Sequence, residues 1–200
     1  MSQPSFEALL EATRATHLAS DALRDFVQWP DDLVPQAVIR HHIRAEDLLL
    51  ADVALDCPEE YAPLRDAVLA AAPHAQWRET YKGTQLSQDF IERFGCYCLI
   101  GAGGAYASNK IGAYFVYMPS DLDYPLHHHP AEEVYFILAG EAEFWVEGDG
   151  AKVMRPGDHV FHASNVPHAT RTLSRPLLAL VLWRGDLGTK PVLTSAEPGV

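Results

Sequence analysis

Cysteine is scarce in this chain of 200 residues: Cys57, Cys96 and Cys98 are the only three. An odd number cannot close a paired disulfide framework and suits a reducing compartment. Basic residues are also in deficit, 15 Lys+Arg against 27 Asp+Glu, which sets the formal charge at -12. Without a Lys/Arg cluster to displace counterions, nucleic acid is not an expected partner. No apolar run approaches the roughly 20 residues that span a bilayer, so no membrane partner is expected either. The segment MSQPSFEALLEATRATH lacks the basic start and apolar stretch of a signal peptide, and the expected location is cytoplasmic. The Gly-rich IGAGGAYAS (100–108) has neither GxGxxG nor Walker spacing and is assigned no phosphate role. Cys96 and Cys98 would share one face of an extended GCYCLI, but with no second cluster they are read as ordinary buried thiols.

What is present divides near residue 75, where an Ala/Leu-rich half gives way to one rich in Gly, Tyr, Val, Phe and turn dipeptides. We expect a helical region over residues 1–75 and a β-barrel domain over 76–200. Phe6, Leu9 and Leu10, and again Leu23, Phe26 and Val27, recur at helical spacing. A second stripe runs through Val34, Ala37, Val38, His41, Ala45, Leu48, Leu49 and Val53, and a third through Tyr61, Leu64, Val68 and Ala71. Beyond Trp77, short apolar segments alternate with turn signals: 111–118, 133–138, 141–146, 152–154 and 177–183 read as strands. Many short strands at regular spacing point to a closed sandwich or jelly roll.

Histidine is the conspicuous excess. Six of the ten, His127, His128, His129, His159, His162 and His168, lie between residues 127 and 168. If YPLHHHPAEEVYFILAG is extended, His127, His129, Glu133 and Tyr135 project to one side, although Pro130 could disturb that register. His168, just before another strand, is placed to enter the same interior. Such an N/O donor set suits one divalent transition metal, Fe, Mn, Co, Ni or Zn. His128 should face away, His159 and His162 stay open between interior and surface, His41 and His42 fall on a helix, and His17 and His74 are structural or exposed.

These residues carry a family resemblance. His127-x-His129, then Glu133 and Gly140, resemble the first cupin motif, and Gly150, Pro156-Gly157-Asp158 and His168 resemble the second. The resemblance implies a mainly β fold, a cupin jelly-roll β-barrel, with an N-terminal α-helical subdomain. A narrower likeness, resting on YPLHHHPAEEVY (124–135) and the preceding helices, is to the Q-type dimethylsulfoniopropionate (DMSP) lyases, which cleave DMSP to dimethyl sulfide and acrylate. It implies His129, Glu133, Tyr135 and His168 around the metal, with Tyr124 and His127 near the substrate. His127 stays ambiguous, because cupins in general use both histidines of the pair as ligands.

The chemistry fits that implication. The dimethylsulfonium end of such a zwitterionic carboxylate is already a good leaving group, so the demanding step is removal of a proton beside the carboxylate. A Lewis acid on the carboxylate would stabilise the developing charge. A phenol near its usual pKa of ~10 needs a neighbouring cation to become a base at neutral pH. Tyr135 is therefore the expected base and Tyr124 an accessory donor or second candidate. Tyr81, Tyr117, Trp145 and Trp183 are candidate aromatic faces for the sulfonium, set against an ordinary core role. The alternatives are another mononuclear-metal cupin enzyme, a dioxygenase or a sugar or keto-acid isomerase, and a non-catalytic small-molecule-binding cupin. The helices could cover the barrel's outer surface, lid its mouth or form a homodimer face, and periodicity favours none of these.

Overall fold

The structure is a computed structural model describing residues 3–80 and 82–194. Helix α1 (Gln3–Ala19) leads to the short α2 (Asp21–Phe26), which starts where the Ser20 hydroxyl accepts from the Leu23 N–H. The stretch expected as one helix from Val34 to Val53 is not one. Val34–Pro35 forms strand β1, and only Arg44–Ala51 is helical (α3). Pro35 has no N–H to donate and disfavours helical geometry in the residue before it. His41 pairs through an isolated bridge with Gln76, so neither His41 nor His42 lies on a helix, and Val34 and Val53 are exposed. Helix α4 (Ala62–Ala71) follows expectation, with proline in its first turn and Leu64, Val68 and Ala71 buried. A last short helix, α5 (Gln88–Arg93), is capped by the Ser87 hydroxyl. Among the described residues, no helix is long and apolar enough to cross a membrane.

Strands β2 (Gly95–Ile100), β3 (Tyr106–Ala107), β4 (Gly112–Met118), β6 (Glu132–Gly140), β9 (His159–His162) and β11 (Leu177–Arg184) join β1 in one sheet. β5 (Leu122–His128), β7 (Ala142–Val146), β8 (Gly150–Met154), β10 (His168–Thr172) and β12 (Val192–Leu193) form the other. The seven-stranded order is β1-β3-β2-β4-β11-β6-β9 and the five-stranded order β12-β5-β10-β7-β8. Two largely antiparallel sheets enclosing a common interior make the expected mainly β, cupin jelly roll, with helices at the N-terminal end.

The central strands β2, β4, β6 and β11 of the larger sheet are buried on both faces, and strand alternation sorts their residues. Leu178, Leu180 and Leu182, with Phe136, Leu138, Phe115, Tyr117, Tyr97 and Leu99, pack into the core that includes Leu9, Leu23, Leu64 and Val68 of the helices. Ala179, Val181 and Trp183, with Tyr135, Ile137, Tyr114, Val116 and Cys98, face the smaller sheet. This is why LLALVLW reads as an unbroken apolar run. The helices thus cover the outer face of the seven-stranded sheet, and the Tyr97 hydroxyl donates to the Val68 carbonyl of α4 at 3.0 Å to tie the layers. At the end of β6, Gly140 has φ 74°, and a Cβ there would lie 1.7 Å from the Pro176 carbonyl oxygen. Only glycine fits that position.

Candidate active site and metal centre

The site lies between the sheets where β5, β6, β9 and β10 converge. His127 and His168 are directly paired across β5 and β10, and Glu133 and His162 across β6 and β9. His129 stands just beyond β5, where the chain bends through Pro130 into β6. The odd-numbered residues of the motif thus converge through this bend rather than along one continuous strand. His127, His129, Glu133, His162 and His168 are all buried.

In three of the histidines Nδ1 meets a backbone carbonyl: His127 with Pro125 at 2.9 Å, His129 with Ala131 at 2.9 Å and His168 with Val166 at 2.8 Å. A carbonyl only accepts, so Nδ1 carries the proton and Nε2 presents a lone pair. The Nε2 atoms of His129, His162 and His168 are buried without a hydrogen-bond partner. Orphaned lone pairs cost free energy unless something binds them. Glu133 is held from both sides: Trp183 Nε1 donates to Oε1 at 2.5 Å, and His162 Nδ1 lies 2.6 Å from Oε2. His129 Nε2 and His168 Nε2 lie 3.4 and 3.6 Å from the same oxygen. Two sets of ligand atoms gather within 4.8 Å, His127–His129–His168 and Glu133–His162–His168. Imidazole nitrogens with a carboxylate suit a divalent transition metal, and the residues present fit one.

The electrostatics prepare these groups as donors. Burial pushes His127 down to about 4. Burial together with the His162 and His127 imidazoles pushes His168 down to about 2. Both are neutral, as ligands must be. Burial opposes charge on Glu133, but the neighbouring His129 and His162 rings outweigh it and hold the carboxyl well below its usual range. Burial likewise opposes charge on His129, yet the Glu133 carboxylate raises its pKa.

Beside this cluster, Tyr135 is buried against Phe144 and His162, with ring centroids 5.3 and 5.6 Å away. Tyr124 stacks on His127 at 4.0 Å, inclined by 13°. Tyr124, His127, His129, Glu133, Tyr135 and Trp183 line one chamber. Of the candidate aromatics, Trp183 alone among the described residues reaches it. Tyr117 belongs to the outer core, where its hydroxyl donates to Asp52, and Trp145 is part-exposed; Tyr81 lies outside the described residues. His128 turns away toward Thr194, His159 is exposed and His17 is buried in the helical layer. Two members of the site were not singled out in the sequence. The sequence leaves His162 open between interior and surface, and the structure buries it against Glu133. The sequence offers Trp183 only as an aromatic face, whereas in the structure its indole N–H anchors Glu133.

Comparison with known proteins identifies the family. The DMSP lyase family model matches residues 22–179. The DMSP lyase DddQ of Ruegeria pomeroyi is 55% identical over 194 residues, covering 97% of this chain and 96% of that one. The crystal structure of that DddQ superposes with a TM-score of 0.94 over 98% of this chain and 99% of its own. A chain from the crystal structures of the DMSP lyases RdDddP and RnDddQII is 36% identical, with a TM-score of 0.93 over 98% and 100% of the two chains. With the family match running through most of the helical layer and the barrel, the chain belongs to the DMSP lyase family.

Proposed function

We propose that this protein cleaves DMSP to dimethyl sulfide and acrylate by metal-dependent β-elimination, with Tyr135 as the base. The observation that carries the reading is the convergence of Tyr135 and Tyr124 with buried, outwardly pinned histidines and Glu133 on one chamber. The names of its relatives support the substrate. His129, Glu133, Tyr135 and His168 would hold the metal. When bound, a divalent metal supplies Lewis acidity to the substrate carboxylate and favours the Tyr135 phenolate. Fe, Zn, Mn, Co and Ni all suit these donors.

Tyr135 takes the proton beside the carboxylate, that C–H electron pair becomes the new C=C bond, and the C–S bond breaks with its pair leaving on dimethyl sulfide. No general acid is needed for a neutral sulfide to depart. Tyr124, steadied by His127, orients the carboxylate end, and His127 contacts substrate or adds a ligand nitrogen. The Trp183 face receives the sulfonium by its ring quadrupole. Phe94 also lines the chamber between the sheets. The unpaired thiols of Cys57, Cys96 and Cys98 fit a cytoplasmic setting.

The test is to load the protein separately with each of these metals, add DMSP under anaerobic conditions and measure headspace dimethyl sulfide. Dimethyl sulfide with at least one metal is expected, and its absence with all of them overturns the proposal. Turnover without oxygen also separates elimination from a dioxygenase reaction.

A further inference from the structure

Arg78 sits where the chamber opens into an outer pocket: it lines both, together with Thr80, Tyr114, Trp183 and Pro191. Its backbone is fixed, because its N–H donates to the Cys96 carbonyl of β2 at 2.8 Å. Its side chain is fixed as well. Nη2 donates to the Ala102 carbonyl at 2.8 Å, and the guanidinium lies 4.7 Å above the Tyr114 ring, whose edge meets Trp183 at 5.5 Å. The residue is only partly exposed, yet among the described residues no carboxylate pairs with it. The adjacent Glu79 is engaged by Lys82 and His41, and Glu133 by Trp183 and His162. A partly desolvated cation without an acid partner is unfavourable until an anion reaches it. A guanidinium's planar fork matches a carboxylate.

We propose that Arg78 forms a carboxylate-binding subsite at this neck, separate from the metal cluster. It engages the carboxylate of the incoming substrate and of the departing unsaturated acid. The subsite rests on the lyase reading for its ligand: DMSP and acrylate share a carboxylate, and only the first carries a cation. Arg78 therefore attracts the leading carboxylate of the zwitterion and sets the direction in which substrate enters. Its contribution falls on capture and specificity, with proton removal left to the chamber.

The test uses the metal-loaded protein and its Arg78→Met and Arg78→Lys variants, with metal content and melting temperature measured on each. Propionate serves as a non-reacting carboxylate probe and propionamide as its neutral counterpart, both titrated by calorimetry. In Arg78→Met the propionate Kd and the KM for DMSP are expected to rise about tenfold or more. Propionamide affinity and kcat should stay within about threefold of the parent, and Arg78→Lys should recover part of the loss. Absence of propionate binding to the parent, a rise of about threefold or less in Arg78→Met, or a loss that follows loss of metal would overturn the proposal. If Arg78 only supports the fold, both probes weaken together and the proposal also fails. Should the parent release no dimethyl sulfide, the lyase reading falls, while the propionate comparison still decides the subsite.

Discussion

Tyr135 is enclosed by Phe144 and His162, so removing its hydroxyl leaves the ring's packing in place. Tyr135→Phe is therefore expected to keep its melting temperature while kcat falls by about a thousandfold, within the range for losing a general base; activity within a few-fold of the parent would remove Tyr135 from that role. Glu133 offers a finer test. His162→Ala deletes the contact to Oε2 and frees the carboxylate to turn, which should weaken metal affinity by about 10- to 100-fold in a chelator competition. His129→Ala and His168→Ala, which remove proposed ligands, should lose stoichiometric metal instead. Equal metal affinity in parent and His162→Ala would show that His162 does not position Glu133. Much of the cluster was legible because His127, His129, Glu133 and Tyr135 lie in one short stretch of chain, although the bend at Pro130, and not one continuous strand, brings them together. His162 and Trp183 were not, because their importance comes from pairing across β6–β9 and β6–β11, a relation between strands that sequence order does not display.

Elements impose a different kind of constraint, set by where the backbone must turn and what a helix end rests on. Gly140→Ala would place a methyl on the Pro176 carbonyl and force a side chain into the left-handed region, with an expected loss of about 1–3 kcal/mol in denaturant unfolding. His17 ties α1 to the chain after α2: Nε2 donates to the Val27 carbonyl at 2.8 Å, while Nδ1 is buried with no partner. A second proton would have nothing to meet, and burial lowers this histidine from its ordinary 6.5. The folded chain then binds that proton less readily than the unfolded chain. The stabilisation is complete above 6.5 and is lost as pH falls below it through the folded value. Urea unfolding on the acid side of 6.5 should show a shallower dependence on pH in His17→Gln than in the parent; identical slopes would exclude His17 as a contributor. The strands with long apolar runs, β4, β6, β7 and β11, were legible at this scale, whereas the more polar β5, β9 and β10 that carry the site's histidines were not. The 34–53 stretch was not, since Pro35 and the His41–Gln76 bridge override a helical spacing that happens to recur across a loop.

For the molecule as a whole, the charge of -12 bears on its partners and hardly on a site enclosed between two sheets. Periodicity showed that the helices have apolar faces and that the barrel strands are apolar, but a stripe does not say what covers it. The packing answers this: Leu178, Leu180, Leu182, Phe136 and Phe115 share a core with Leu9, Leu23, Leu64 and Val68. Stripping these five sheet residues of their cover would forfeit on the order of 10 kcal/mol of burial, comparable to the whole stability margin of a domain. The same face would also become a largely apolar surface, broken by few polar groups such as Arg184 and the hydroxyls of Tyr97 and Tyr117. A fragment of residues 76–200 is therefore expected to aggregate or to bind a hydrophobic dye without a cooperative thermal transition, even with metal present. A monomeric fragment that melts cooperatively and holds one metal ion would show that the barrel is independent of the helical layer.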